Sequence, residues 1–171
     1  MAKLEDRQVE DLAAINAAGQ SVLIIEAPYY SDVSDALREG AIAELEAGEA
    51  GYEIITVPGA LEIPQVLGQA FAKGLIAPGG KGGATFAGAV ALGCVIRGET
   101  SHYDIVCDNA NHWMMRLAMD NSVPLGNGIL TVDTHAQAMA RATGGRLGKG
   151  GDAARACLRL MEISREFEGR S

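Results

Sequence analysis

The eight residues Arg97, Gly98, Glu99, Thr100, Ser101, His102, Tyr103 and Asp104 follow directly on the apolar run "FAGAVALGCVI" (86–96). They bring a guanidinium, two aliphatic hydroxyls, an imidazole, a phenol and two carboxylates into one short stretch. An imidazole titrates near about 6.5, so His102 can give and take protons at neutral pH. A helix starting near Ser101 leaves the amides of Gly98, Glu99, Thr100 and Ser101 as its unpaired N-terminal donors. With the dipole's positive end and the hydroxyls of Thr100 and Ser101, they suit an anion such as phosphate. The same stretch also reads as a plain helix start with Ser101 and Asp104 as a capping box. A cap and an anion site use different donors, so the two readings are compatible.

A second stretch, "TVPGALEIP" (56–64), puts Glu62 at the start of a helix after a tight turn. Its carboxylate either complements the helix dipole or accepts from the N–H groups of a ligand. Gly59 and Ala60 leave room for a flat molecule to approach the backbone, and Tyr29 offers a stacking face. Arg141 and Lys149 flank the turn "ATGGRLGK" and are candidate counter-charges for a phosphate, the arginine through a two-pronged grip. The plain alternative is a helix C-terminal cation and a solvated lysine. His112 and His135 lack metal-ligand spacing and read as non-catalytic. Cys94, Cys107 and Cys157 are an odd number that matches no zinc pattern and read as reduced thiols, mostly buried.

These side chains need elements to hold them. "SVLIIEA" (21–27), "YEIITV" (52–57), "TFAGAVALGCVI" (85–96) and "VPLGNGILTV" (123–132) read as strands. Helices are expected over 34–47, within 58–75 after a turn and with Pro64 in the first helical turn, over 101–119, near 134–142 and over 152–167. Ser34 or Asp35 can cap the first of these and Gly48 can end it. "APGGKGG" (77–83) lacks the Gly-Lys-Ser/Thr of a phosphate loop and reads as a connection. Strands alternating with helices imply an α/β fold with a parallel sheet covered on both faces. Ligands of such sheets bind beyond the carboxyl ends of the strands. The segments found there are "PYYSD", "PGALE", "RGETSHYD" and "DTHAQ", so both motifs fall on one rim.

At 171 residues the chain suits a single domain over 21–171, preceded by a polar N-terminal arm over 1–20. Its net charge of −8 argues against nucleic acid or an anionic membrane as partner. The opening residues lack a secretory apolar core and no run is long enough to span a bilayer, so a cytoplasmic protein is expected.

Taken together, "VPGALEIP", "ALGCVIRGETSHYD", "GNGILTVDTHAQAMARA" and "GKGGDAA" resemble the lumazine synthase family, from about residue 21 to 168. The resemblance implies a flavodoxin-like three-layer sandwich with a four-stranded parallel sheet. It implies condensation of 5-amino-6-(D-ribitylamino)uracil with 3,4-dihydroxy-2-butanone 4-phosphate to 6,7-dimethyl-8-ribityllumazine, with no metal or organic cofactor. By motif match His102 is the proton-transfer residue, Gly98 to Ser101 (with Glu99 and Thr100) the phosphate-binding turn, and Arg141 the arginine that holds the phosphate. Glu62, Ala60 and Leu61, beside Gly59, bind the ribityl chain and flank the ring. Val95 and Ile96 meet the pyrimidinedione, Lys149 and Asp152 complete the site, and Tyr29 is the stacking aromatic. The family forms sites between subunits of pentamers, pairs of pentamers or 60-chain shells; a homopentamer is expected.

The match departs at three positions. Asn127 stands where many members have a phenylalanine lining the adjacent subunit's site. Tyr30 stands where asparagine is common, and Gly148 where "GNKG" has its asparagine. Two other readings stay open: a riboflavin synthase of the related archaeal type, and a flavin- or lumazine-binding protein that has lost catalysis. The intact motifs favour the synthase, and His102 with Arg141 speaks against loss.

Overall fold

The computed structural model describes residues 12–170 of the chain. Four strands form one parallel sheet: β1 (Ser21–Ala27), β2 (Gly51–Thr56), β3 (Gly88–Ile96) and β4 (Leu125–Val132), in the order β2-β1-β3-β4. The register pairs Val22 with Tyr52 on one side and with Gly88 on the other, and Ala89 with Leu125. Five helices connect and follow them: α1 (Ser31–Ala47), α2 (Ile63–Ala72), α3 (His102–Asp120), α4 (His135–Ala142) and α5 (Lys149–Glu168).

The central strand β1 is buried from Val22 to Ala27, as a strand covered on both faces must be. Its side chains alternate between two cores. Val22 and Ile24 join Leu37 and Leu45 of α1 and Leu158 and Met161 of α5. Leu23 and Ile25 join Ile63 and Leu67 of α2 and Met114 of α3. Each such side chain contributes about 1.5–3 kcal/mol through burial. The result is the expected α/β sandwich: α1, α4 and α5 on one face, α2 and α3 on the other, around a four-stranded parallel sheet.

Several boundaries differ from the expectation. Helix α1 starts at Ser31 rather than 34, and no side chain caps it at Tyr30. Ser34 is instead buried within the helix, and its amide donates to the Tyr30 carbonyl at 2.9 Å. Helix α5 starts at Lys149, so Gly150 and Gly151 are helical rather than part of a preceding turn. Packing explains this. A Cβ on Gly150 would lie 1.8 Å from the carbonyl oxygen of Leu37, so α1 and α5 meet backbone to backbone. The third strand is shorter than expected, with Phe86 making only an isolated bridge to Ile76 before β3 begins.

Residues 1–11 of the expected N-terminal arm lie outside the described residues. The rest of the arm is tied down: the Ala17 amide donates to the Gly48 carbonyl at 2.7 Å, and Arg165 donates to the Asn16 carbonyl at 2.7 Å. One buried ionic cluster fastens the α1–α5 side. Glu44 is fully buried and accepts from Arg146 Nε at 2.7 Å and from Arg155 Nε and Nη2 at 3.0 and 2.6 Å. Arg146 also reaches the Leu12 carbonyl at 3.2 Å. Among the described residues no helix is long and apolar enough to cross a membrane.

Candidate active site

The carboxyl ends of β1, β2 and β3 open onto one pocket of about 330 Å³. From the end of β1 come Ala27, Tyr29 and Tyr30, and from the turn after β2 come Gly59, Ala60, Leu61 and Glu62. From β3 and the turn that follows come Cys94, Val95, Ile96, Gly98 and Thr100, and from the start of α3 come His102, Tyr103 and Val106.

Each wall has a local cause. After β2, a 3-10 turn over Ala60–Glu62 is closed by the Glu62 amide on the Gly59 carbonyl at 3.2 Å. Pro64 then sits in the first turn of α2, where its missing N–H costs nothing. The Glu62 carboxylate lies so near Gly59 that a Cβ there would come within 3.1 Å of it. After β3, the amides of Gly98, Glu99, Thr100 and Ser101 have no hydrogen-bond partner among the described residues. Gly98 has open space where a side chain would stand. His102 opens α3, exposed, with its own amide 3.4 Å from the Thr100 hydroxyl.

The expected capping box is not formed. Ser101 caps nothing with its side chain; its carbonyl takes the Asp104 amide at 3.1 Å. Asp104 is drawn instead to Arg97, whose Nη1 lies 3.3 Å from its Oδ1. The same guanidinium reaches Asp133 at 3.2 Å and lies 4.1 Å above the Tyr103 ring. The segment after β4 lines none of the pocket. It braces it, through Asp133 on Arg97 and through His135 Nε2, 2.9 Å from Asp32.

Burial raises one thiol and two phenols at the pocket. It pushes the Cys94 thiol up to about 11, with Asp32 and Cys107 adding to the rise. It also raises the phenols of Tyr30, with help from Cys94 and Tyr29, and of Tyr103. Imidazole is therefore the one side-chain type in the pocket whose ordinary range lies near neutrality. Among the described residues no three His, Cys, Asp or Glu side chains come together in a way that could hold a metal.

The structure thus gathers Tyr29, Gly59, Ala60, Leu61, Glu62, Val95, Ile96, Gly98, Thr100 and His102 at one pocket. Glu99 and Ser101 belong to the same turn without lining it. Four expected residues stand apart. Asn127 projects from β4 and donates to Asn111 Oδ1 at 2.6 Å, while its own Oδ1 takes the Ile129 amide at 3.0 Å. Arg141, on α4, donates to the Gln137 carbonyl at 3.1 Å. Lys149 and Asp152 pair with each other at 2.9 Å at the start of α5. Tyr30, Cys94, Tyr103 and Val106 line the pocket without having been singled out for it. In the sequence Tyr30 stands out only as a departure from the family's asparagine and Tyr103 only as the phenol of its motif.

Comparison with known proteins gives a consistent outcome. The family model described as 6,7-dimethyl-8-ribityllumazine synthase matches residues 19–165. A 6,7-dimethyl-8-ribityllumazine synthase of Methylocella silvestris is 51% identical over 150 residues, 88% of each chain. One from Nitrobacter hamburgensis is 47% identical over 152 residues, 89% of this chain and 90% of its own. One from Nitrobacter winogradskyi is 44% identical over 167 residues, 98% of both.

Proposed function

The chain belongs to the 6,7-dimethyl-8-ribityllumazine synthase family, and from that premise we propose a role for each part of the rim pocket. The chain is a transferase of riboflavin biosynthesis. It condenses 5-amino-6-(D-ribitylamino)uracil with 3,4-dihydroxy-2-butanone 4-phosphate, giving 6,7-dimethyl-8-ribityllumazine, phosphate and water. The observation that carries the assignment of the site is the convergence of Glu62, His102 and the unpaired amides of the 98–101 turn at the ends of three strands.

The pyrimidine lies along the backbone of Val95 and Ile96 with Tyr29 over its ring, and Glu62 accepts from the ribityl side. The phosphate sits on the amides of Gly98, Glu99, Thr100 and Ser101, where free N–H groups and the dipole of α3 favour an anion. His102, next in the chain, then stands beside the four-carbon substrate. It takes a proton from the attacking amine, returns one as water leaves in imine formation, and serves the ring closure in turn. Holding both substrates in place is the larger contribution, since proximity and orientation can supply several kcal/mol, up to about 7–11.

Among the described residues no lysine or arginine lines the pocket of one chain. Arg141, with Lys149, Asp152 and Asn127, lies on β4, α4 and α5 outside it. In a homopentamer these residues meet the pocket of the next subunit, where Arg141 holds the phosphate from across the interface. The enzyme works in the cytoplasm on two small molecules, with neither nucleic acid nor membrane as partner.

Mixing the purified chain with both substrates tests the assignment. Lumazine absorbance and fluorescence should grow in and depend on both. Binding without turnover would instead mark a lumazine- or flavin-binding protein, and conversion of lumazine alone to riboflavin would mark a riboflavin synthase.

A further inference from the structure

The turn proposed to seat the phosphate has almost no internal support. Among the described residues, the bonds within the turn itself are the long contact from the His102 amide to Thr100 Oγ1 at 3.4 Å and the backbone bonds from the Asp104 and Ile105 amides to the Ser101 carbonyl. Four consecutive amides are unpaired among the described residues, and Gly98 touches nothing within 4 Å of a would-be Cβ. Such a segment is held from its ends or not at all, because ordering it on binding would cost conformational entropy.

One residue, Arg97, holds both ends. The Arg97 amide fixes the start of the turn to the Val132 carbonyl of β4 at 2.9 Å. Its guanidinium then spans two elements, with Nε on Asp133 just beyond β4 at 3.2 Å and Nη1 on Asp104 in the first turn of α3 at 3.3 Å. It also covers the ring of Tyr103, whose other surroundings include the pocket. The planar fork matters here: five donors on a rigid plane can serve two carboxylates and a ring at once, and an ammonium cannot. We propose that Arg97 is a positioning residue for the condensation, clamping the 98–101 turn and His102 in the geometry that receives the phosphate-bearing substrate. It touches neither substrate. This rests on the reading of the turn as the phosphate seat.

The test measures KM for each substrate separately, together with competitive inhibition by inorganic phosphate, in the full-length enzyme. Arg97→Gln and Arg97→Lys should both raise KM for the dihydroxybutanone phosphate and the phosphate inhibition constant about tenfold, the scale of one charge-assisted hydrogen bond. KM for the ribitylaminouracil should stay within about twofold and Tm within a few degrees, since the ion pairs lie at a half-exposed surface. Asp133→Asn should show part of the same effect and add nothing to Arg97→Gln, as expected for members of one cluster. Full restoration by lysine would overturn the proposal by showing that charge alone suffices. Equal rises in both KM values with a large fall in Tm would overturn it too, by making Arg97 a general stabiliser. The seat is checked on its own by Ser101→Pro, which removes one of its amides at a residue whose φ of −68° already suits proline. If that variant leaves phosphate inhibition unchanged, the seat is wrong and the clamp falls with it. If it weakens inhibition while Arg97→Gln does not, only the clamp fails.

Discussion

His102 owes its place to two features: it is the first residue of α3, and it follows a turn whose amides are unpaired among the described residues. Replacing it with alanine removes proton transfer but leaves the walls that hold the substrates together. His102→Ala should therefore slow turnover by about 10²–10⁴-fold without abolishing it, with KM values little changed, as steady-state lumazine formation would show. Another histidine has a simpler part. His135, through its hydrogen bond, holds the Asp32 carboxyl below the usual carboxylate range against the opposing effect of burial, with the Val33 amide assisting. A depressed carboxylate stabilises the fold above its unfolded value, near about 4, and loses that contribution as pH falls through the lower folded value. The Tm advantage of wild type over His135→Ala should accordingly be present at about pH 5 to 6 and shrink as the pH falls below about 4.

At the scale of elements, the strands and the two motif-bearing turns were legible from apolar runs and their punctuation, because burial on both faces leaves a continuous apolar signature. Helix starts were less so, and the reasons are long-range. Ser34 looked like a cap but faces the core, while Asp32 is engaged by His135 from far along the chain. Asp104 looked like half of a capping box but is claimed by Arg97. The glycines at 150 and 151 read as a turn, since glycine costs about 1 kcal/mol in a helix. Only contacts made in the fold make their lack of a side chain necessary, Gly150 against Leu37 of α1 and Gly151 against the backbone of Arg146. The Glu44 cluster was invisible for the same reason: its partners, Arg146 and Arg155, are brought together by that helix contact. Truncating Glu44 would leave two guanidinium groups facing each other at the α1–α5 seam. Glu44→Ala should cost about 3–5 kcal/mol, read from the urea unfolding midpoint, a large part of a domain's usual 5–15.

At the scale of the whole molecule, the separation of Arg141 from the pocket that holds His102 makes a sharp prediction about assembly. Two slowed chains, one His102→Ala and one Arg141→Ala, should together exceed the activity of either alone when unfolded and refolded as a mixture. A subunit pair that joins the intact pocket of one chain to the intact α4 of the other restores a complete site. Chains that carry both residues within one subunit's site could not rescue each other, and sedimentation of the mixture would report its assembly state. The strand order β2-β1-β3-β4 carries one more consequence, for the order of events during synthesis. Once made, β1 can pair at first only with β2, and its other edge waits for β3 to arrive across α1, β2 and α2. Pairings this distant in sequence are slow to form. A nascent chain halted before residue 88 therefore carries an apolar strand with one bare edge and no pocket at all, which makes this interval the one in which a chaperone has most to protect.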